Sequence, residues 1–123
     1  MNSGVMPRVT LFLAGLIGAF GVGFSALAAH GGDTRLYGAA ALVCLTQAPA
    51  LLGLFIGWRM VRTALVASLL IGVGAILFAG DVSILARFGH GLFPMAAPTG
   101  GTMMILGWVA LAVGAFFRSG NAR

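Results

Sequence analysis

The chain has 123 residues, of which 60% are hydrophobic and only 7% are charged. A soluble domain is about 45–50% apolar and about 25% charged, so this composition excludes a water-soluble globular domain and predicts a protein of the lipid bilayer. The net charge of +5 comes from arginines spread singly between apolar runs, which argues against nucleic acid as a partner because a nucleic-acid interface needs a clustered basic stripe.

Four apolar segments are each long enough to cross a hydrocarbon core, which needs about 20 helical residues. Their apolar residues are continuous rather than alternating, which predicts helices and not the strands of a membrane β-barrel. The predicted fold class is therefore all-α, with residues 1–123 forming one domain of four transmembrane helices in a tight bundle. The predicted spans are residues 9–29, 36–58, 63–80 and 97–117.

The stretch between the third and fourth spans, from Asp81 to Pro94, is weakly amphipathic. Its pattern predicts a short interfacial helix or a loop. On this prediction Asp81 marks the end of the third span, and the first three spans contain no acid. Proton-coupled export of the kind performed by small multidrug exporters is then not expected, because it needs a carboxylate within the membrane.

The arginines predict the orientation. With four spans, one side of the membrane receives both termini and the second loop, and the other side receives the first and third loops, where each of the two arginines has an aspartate nearby. Cytoplasmic loops carry the excess of basic residues, so both termini are expected in the cytoplasm. The expected location of the chain is the inner membrane of a bacterium. The arginines of the first side are Arg8, Arg59, Arg62, Arg118 and Arg123, and the two pairs of the other side are Asp33 with Arg35 and Asp81 with Arg87.

The first span also fits a second interpretation. Arg8, the apolar run after it and Ala26-Leu27-Ala28 match a secretory signal peptide with its cleavage site. The run is longer than a usual signal-peptide core, so a retained first span is the favoured prediction, and cleavage stays open.

Small residues are expected to pack the helices together. Glycine makes up 20 of the 123 residues, and small residues let helices approach closely in lipid, where the hydrophobic effect does not drive helices together. The same motifs could instead form an oligomer face, so both uses stay open. The glycines predicted to pack are Gly18, the GxxxG pair Gly53 and Gly57, and Gly107.

The few polar residues within the spans are the candidates for chemistry. Pro49 cannot donate a hydrogen bond to the carbonyl of Leu45, which frees an acceptor at membrane depth. Thr46, Gln47 or a neighbouring helix could satisfy it, or Gln47 could face a cavity or bind a partner group. Cys44 is expected to be an inert buried thiol.

His30 and His90 are predicted at the non-cytoplasmic interface. Two histidines near one face could ligate haem or a metal ion, with Asp81 close by. No haem motif accompanies them, so they are interpreted as interfacial polar residues, and no cofactor or metal is predicted.

Two stretches resemble a known family. GAFGVGFSALAAH, from Gly18 to His30, and the segment from Phe78 to Trp108, which contains Pro98-Thr99-Gly100-Gly101 and Gly107-Trp108, resemble the domain of unknown function 423 family, which includes the eukaryotic transmembrane protein 256. The resemblance covers nearly the whole chain and implies a four-span inner-membrane protein without implying an activity. Gln47 stands where the family has a histidine.

Three classes of function remain. The near absence of reactive side chains and the minimal loops favour a non-enzymatic accessory or structural subunit that packs against a larger membrane complex, such as a respiratory assembly. The alternative is a small oligomeric transporter or channel. An enzyme or haem carrier is the least supported, because it would need a cluster of titratable groups around a pocket. The expected partners are the lipid bilayer and other membrane subunits or a second copy of the chain.

Overall fold

A computed structural model describes residues 4–117, and all secondary structure in this range is helical. Four helices are each long and apolar enough to cross a membrane. Arg118 and Arg123, two of the arginines used to predict the orientation, lie outside the described residues. The helices are α1 (Val5–His30), α2 (Thr34–Ile56), α3 (Ala64–Phe88) and α4 (Ala96–Val113), and a 3₁₀ turn (Gly114–Phe116) extends α4.

The turn between α1 and α2 is built from local signals. The N–H groups of Gly31 and Gly32 donate to the Leu27 carbonyl, at 3.1 and 2.7 Å, and so end α1. Asp33 then caps α2 by accepting the Leu36 N–H at 2.9 Å. The ring of Tyr37 lies where a Cβ of Gly32 would be, so the turn packs against the first turn of α2.

The α2–α3 pair lies at the centre, with α1 packed mainly on α2 and α4 mainly on α3. Leu51 of α2 and Ile71 of α3 are completely buried, among small residues such as Ala67 and Ala75. Large side chains point outward instead, and Phe12 of α1 is 66% exposed. Such an exposed apolar surface is unfavourable in water, and it suits a helix that faces lipid.

Glycines bring the backbones of α3 and α4 into contact. A Cβ at Gly100 would lie 2.6 Å from the Gly74 carbonyl oxygen and 2.7 Å from the Phe78 nitrogen. One Cβ at Gly107 would lie 2.6 Å from Cγ1 of Ile71. Near the other end of α4, the Thr63 hydroxyl donates to the Ala110 carbonyl at 2.6 Å, so the two helices are joined along their length.

The prediction of a separate interfacial element from Asp81 to Pro94 is wrong for its first half. The residues from Asp81 to Phe88 continue α3, which ends where Gly89 adopts a left-handed conformation with φ of +81°. Glycine adopts this conformation without a steric penalty, which makes it the usual residue after a helix end. Only residues 89–95, here called the strap, connect α3 to α4, and Asp81 lies inside α3.

The α3–α4 contact predicts the effect of one added methyl group. Gly100→Ala should lower the free energy of unfolding by about 1–3 kcal/mol, because the new Cβ meets backbone atoms that can move only if the helices separate. Thermal unfolding in detergent measures the change. Gly101→Ala is the matched control, since a Cβ there meets nothing within 4 Å, and it should stay within about 0.5 kcal/mol of the wild type. Equal effects of the two substitutions would contradict this account of the contact.

Candidate functional site

A chain of polar side chains joins α2 to α4. The Trp108 indole N–H donates to Oε1 of Gln47 at 2.9 Å, and Nε2 of Gln47 donates to the Thr46 hydroxyl at 3.2 Å. That hydroxyl donates in turn to the Leu42 carbonyl at 2.8 Å. The amide of Gln47 is thus held between two helices that otherwise make little contact. Gln47 and Thr46 are thus hydrogen-bonded to each other, and Trp108 joins them from α4.

Pro49 lies within α2 without ending the helix. The hydroxyl of Thr46 bonds to the carbonyls of Leu42 and Val43, at 2.8 and 3.1 Å, and not to the carbonyl of Leu45 that the proline frees. The Gln47 amide is likewise directed to Thr46 and Trp108. Neither side chain therefore performs the stitching role considered from the sequence.

Asp81 holds the strap against α3. Its Oδ1 accepts the Leu92 N–H at 2.7 Å, and a Cβ on Gly91 would collide with the carboxylate. The side chain is 9% exposed, and its hydrogen-bond partner comes from the strap rather than from Arg87. The sequence predicts Asp81 at the end of the third span, whereas the structure places it inside α3, seven residues before the helix ends at Phe88.

The two predicted interfacial histidines bond to nearby backbone. Nδ1 of His30 donates to the Ala26 carbonyl at 3.2 Å, and Nδ1 of His90 donates to the Gly91 carbonyl at 3.1 Å. His90 also lies beside Phe88, with 6.3 Å between the ring centroids. Among residues 4–117, no group of three or more His, Cys, Asp or Glu side chains could hold a metal ion.

The four glycines predicted to pack the helices differ in their surroundings. Gly107 is in close contact with α3, and a Cβ on Gly18 would lie 3.6 Å from Cβ of Ala48 on α2. Gly53, in contrast, has nothing within 4 Å, and Gly57 meets only the Gly53 carbonyl and Val61. Within residues 4–117 the GxxxG pair therefore lies outside the helix–helix contacts, and Gly57 follows the end of α2 at Ile56. The buried face of α2 carries Leu51 and Leu54 instead.

Neither of the groups that complete these contacts is among the candidate functional residues that the sequence indicates, although Trp108 is among the residues that carry the family resemblance. Trp108 lies 61 positions from Gln47, and Leu92 acts through its backbone N–H, which every residue except proline has. The aromatic residue in the fourth span was a usable signal, because an indole N–H in hydrocarbon needs an acceptor. For Leu92 the sequence contains no comparable signal.

No family model matches the chain, and no solved structure matches it.

The strap contact predicts a difference between two substitutions at Asp81. Asp81→Ala removes the acceptor of the Leu92 N–H, so hydrogen exchange of that amide should accelerate by about fivefold or more, as expected for the loss of a hydrogen bond that contributes about 1 kcal/mol. Asp81→Asn keeps an oxygen acceptor and should exchange much more slowly than Asp81→Ala. The matched control is Asp33→Ala, which should leave the Leu92 amide unchanged. Equal exchange at Leu92 in the wild type and Asp81→Ala would refute the contact.

The α2–α4 hydrogen bond predicts a coupling energy. Gln47→Leu and Trp108→Phe each break this hydrogen bond. The loss of unfolding free energy in the double variant should be smaller than the sum of the two single losses by about 0.6 kcal/mol, the average for hydrogen bonds between membrane helices. Reversible unfolding in mixed micelles measures the cycle. Additive effects would mean that the side chains contribute independently.

Proposed function

We propose that the chain is a non-enzymatic accessory or structural subunit that packs against a larger complex in the bacterial inner membrane. The observation that carries the proposal is a set of helical glycines that meet no atom of another helix within residues 4–117. A Cβ would have nothing within 4 Å at Gly15 and Gly23 in α1, at Gly38 and Gly53 in α2, and at Gly101 in α4.

A glycine that packs against nothing is unfavourable in a helix, by up to about 1 kcal/mol relative to alanine in water. Against another helix, it permits a closer approach than any other residue does. The outward glycines therefore support a partner helix from outside the chain. The glycines that α3 and α4 use between themselves, at Gly74 and Gly100, are an example of this geometry.

A groove between α1 and α2 offers a surface of this kind. Its volume is about 350 Å³, and Gly15, Gly18 and Ala48 line it together with Pro49 and Leu52. Because its lining combines small residues with aliphatic ones and contains no charged side chain, a partner would be recognised by fit rather than by charge. Gly53, where a Cβ would also meet nothing within 4 Å, extends the small-residue surface of α2.

The arginine distribution supports the proposed orientation. Arg8 precedes most of α1, and Arg59 and Arg62 lie between α2 and α3, so all three belong to one side of a four-helix membrane protein. This excess of basic residues supports cytoplasmic termini. Membership of the domain of unknown function 423 family is part of the same proposal, and it rests on the residues that carry the resemblance.

The accessory role is preferred to a transporter because of how the polar groups are used. Gln47 and Thr46 were the side chains that a transport path could use, and both bond within the chain or to Trp108. The buried carboxyl group of Asp81 is the kind of side chain that a coupled transporter needs, but its Oδ1 already accepts the N–H of Leu92 in the strap.

The test is recovery of the native assembly. Tagged protein extracted from its own membrane in a mild detergent should migrate with a larger complex, whose subunits are identified by mass spectrometry. Gly15→Leu should reduce the recovered partner by about tenfold while the chain itself still folds, because a Cβ at Gly15 meets nothing within 4 Å of its own chain.

The matched control is Ala112→Leu on the exposed side of α4, which should recover the partner as the wild type does. If the wild type migrates only with itself, the accessory role is refuted and a self-assembled transporter becomes the better hypothesis. Gln47→Ala would then be the next variant to examine.

A further inference from the structure

A second cleft lies between α1 and α3, away from the groove between α1 and α2. Its volume is about 240 Å³, and its floor is Cys44 of α2. On the α1 side the walls are Phe20 and Phe24, whose rings stack with centroids 6.0 Å apart. On the α3 side the lining includes Ile76 and Ser83.

The α3 wall of the cleft leads to an arginine. Ile76, Gly80 and Ser83 line the cleft at helical spacings of four and three residues, and Arg87 follows four residues after Ser83. These spacings place Arg87 on the same face of α3, one turn beyond the cleft. Arg87 is exposed.

Arg87 is not neutralised by the nearest carboxylate on its own helix. Asp81 is six residues earlier, which places it about 120° around the helix from Arg87, and its Oδ1 accepts the Leu92 N–H at 2.7 Å. Arg87 is therefore a cation one helical turn beyond Ser83, a residue that lines the apolar cleft.

The dimensions match one leaflet of a bilayer. From Ile76 to Arg87 the rise along α3 is about 16 Å, at about 1.5 Å per residue. Half of a hydrocarbon core is about 15 Å thick. An acyl chain lying in the cleft would thus place its phosphate at the level of the Arg87 guanidinium, which binds phosphate through paired hydrogen bonds.

We propose that the cleft between α1 and α3 binds one acyl chain of an anionic phospholipid and that Arg87 binds its phosphate. Its volume of about 240 Å³ lies below the range of about 300–1,000 Å³ usual for small-molecule pockets, which suits part of one chain better than a whole cofactor. The site rests on the four helices crossing a bilayer, and it is independent of the partner proposed for the groove between α1 and α2.

The experiment is a lipid titration followed by native mass spectrometry of the full chain in detergent. The probes are phosphatidylglycerol and phosphatidylcholine with identical acyl chains, so that only the headgroups differ. The wild type should bind phosphatidylglycerol more tightly than phosphatidylcholine. Arg87→Gln should lower the affinity for phosphatidylglycerol by about five- to tenfold, because each basic residue near an anionic lipid contributes about that much affinity. Most of the preference for phosphatidylglycerol over phosphatidylcholine should then be lost.

Two further variants complete the test. Ser83→Leu fills the cleft and should weaken the binding of both lipids. Arg35→Gln is the control for charge, because it removes an exposed arginine from the first turn of α2, and this variant should bind both lipids as the wild type does. The proposal is overturned if Arg87→Gln binds phosphatidylglycerol as tightly as the wild type, or if Arg35→Gln weakens it equally.

Soluble glycerol phosphate should not displace the bound lipid, and displacement would overturn the acyl-chain part of the proposal. If Ser83→Leu fails to fold, the comparison of Arg87→Gln with Arg35→Gln still decides the outcome. Unfolding temperature and migration on size exclusion establish that each variant is folded.

Discussion

The backbone contact between α3 and α4 is the constraint on which the rest of the structure depends. In hydrocarbon, helices gain little from hiding apolar surface, so their association depends on close van der Waals contact. Gly74 and Gly100 permit that contact because neither places a Cβ between the two backbones. Since α4 packs mainly on α3, the register of this contact determines where α4 begins and which of its side chains reach α2.

Two polar contacts follow from this register. The first turns of α4 lie beside Phe78, well before the end of α3, because Gly100 contacts Phe78 and α3 continues to Phe88. The strap must therefore return along α3, and Asp81 supplies the acceptor for the Leu92 N–H there. The same register brings the Trp108 indole to Gln47. Every buried side-chain nitrogen or oxygen within residues 4–117 has a hydrogen-bond partner, as a membrane interior requires.

The sequence predicts four helices because their apolar runs are long and continuous, and this is a property of each segment alone. The predicted end of the third helix is wrong at Asp81, because an acid after an apolar run normally marks a membrane boundary. Here the N–H of a strap residue 11 positions later bonds to the carboxylate, and the helix continues. The sequence indicates Gln47 as a candidate functional residue, but its role as an acceptor depends on a tryptophan 61 positions away. The pair Gly53 and Gly57 shows a related limit, since a small-residue motif permits close approach without specifying which helix approaches.

The glycines of the helices fall into two groups. Gly74, Gly100 and Gly107 are used inside the chain, while Gly15 and Gly53 face outward with nothing within 4 Å. The polar side chains that could give a directional contact, Gln47 and Asp81, already bond within residues 4–117. A partner helix at the outward glycines would thus be selected mainly by shape, and a lipid at the α1–α3 cleft by shape and by the charge of Arg87. On both proposals, recognition would depend on the shape that glycines leave on the helix surfaces and, at the cleft, on one arginine.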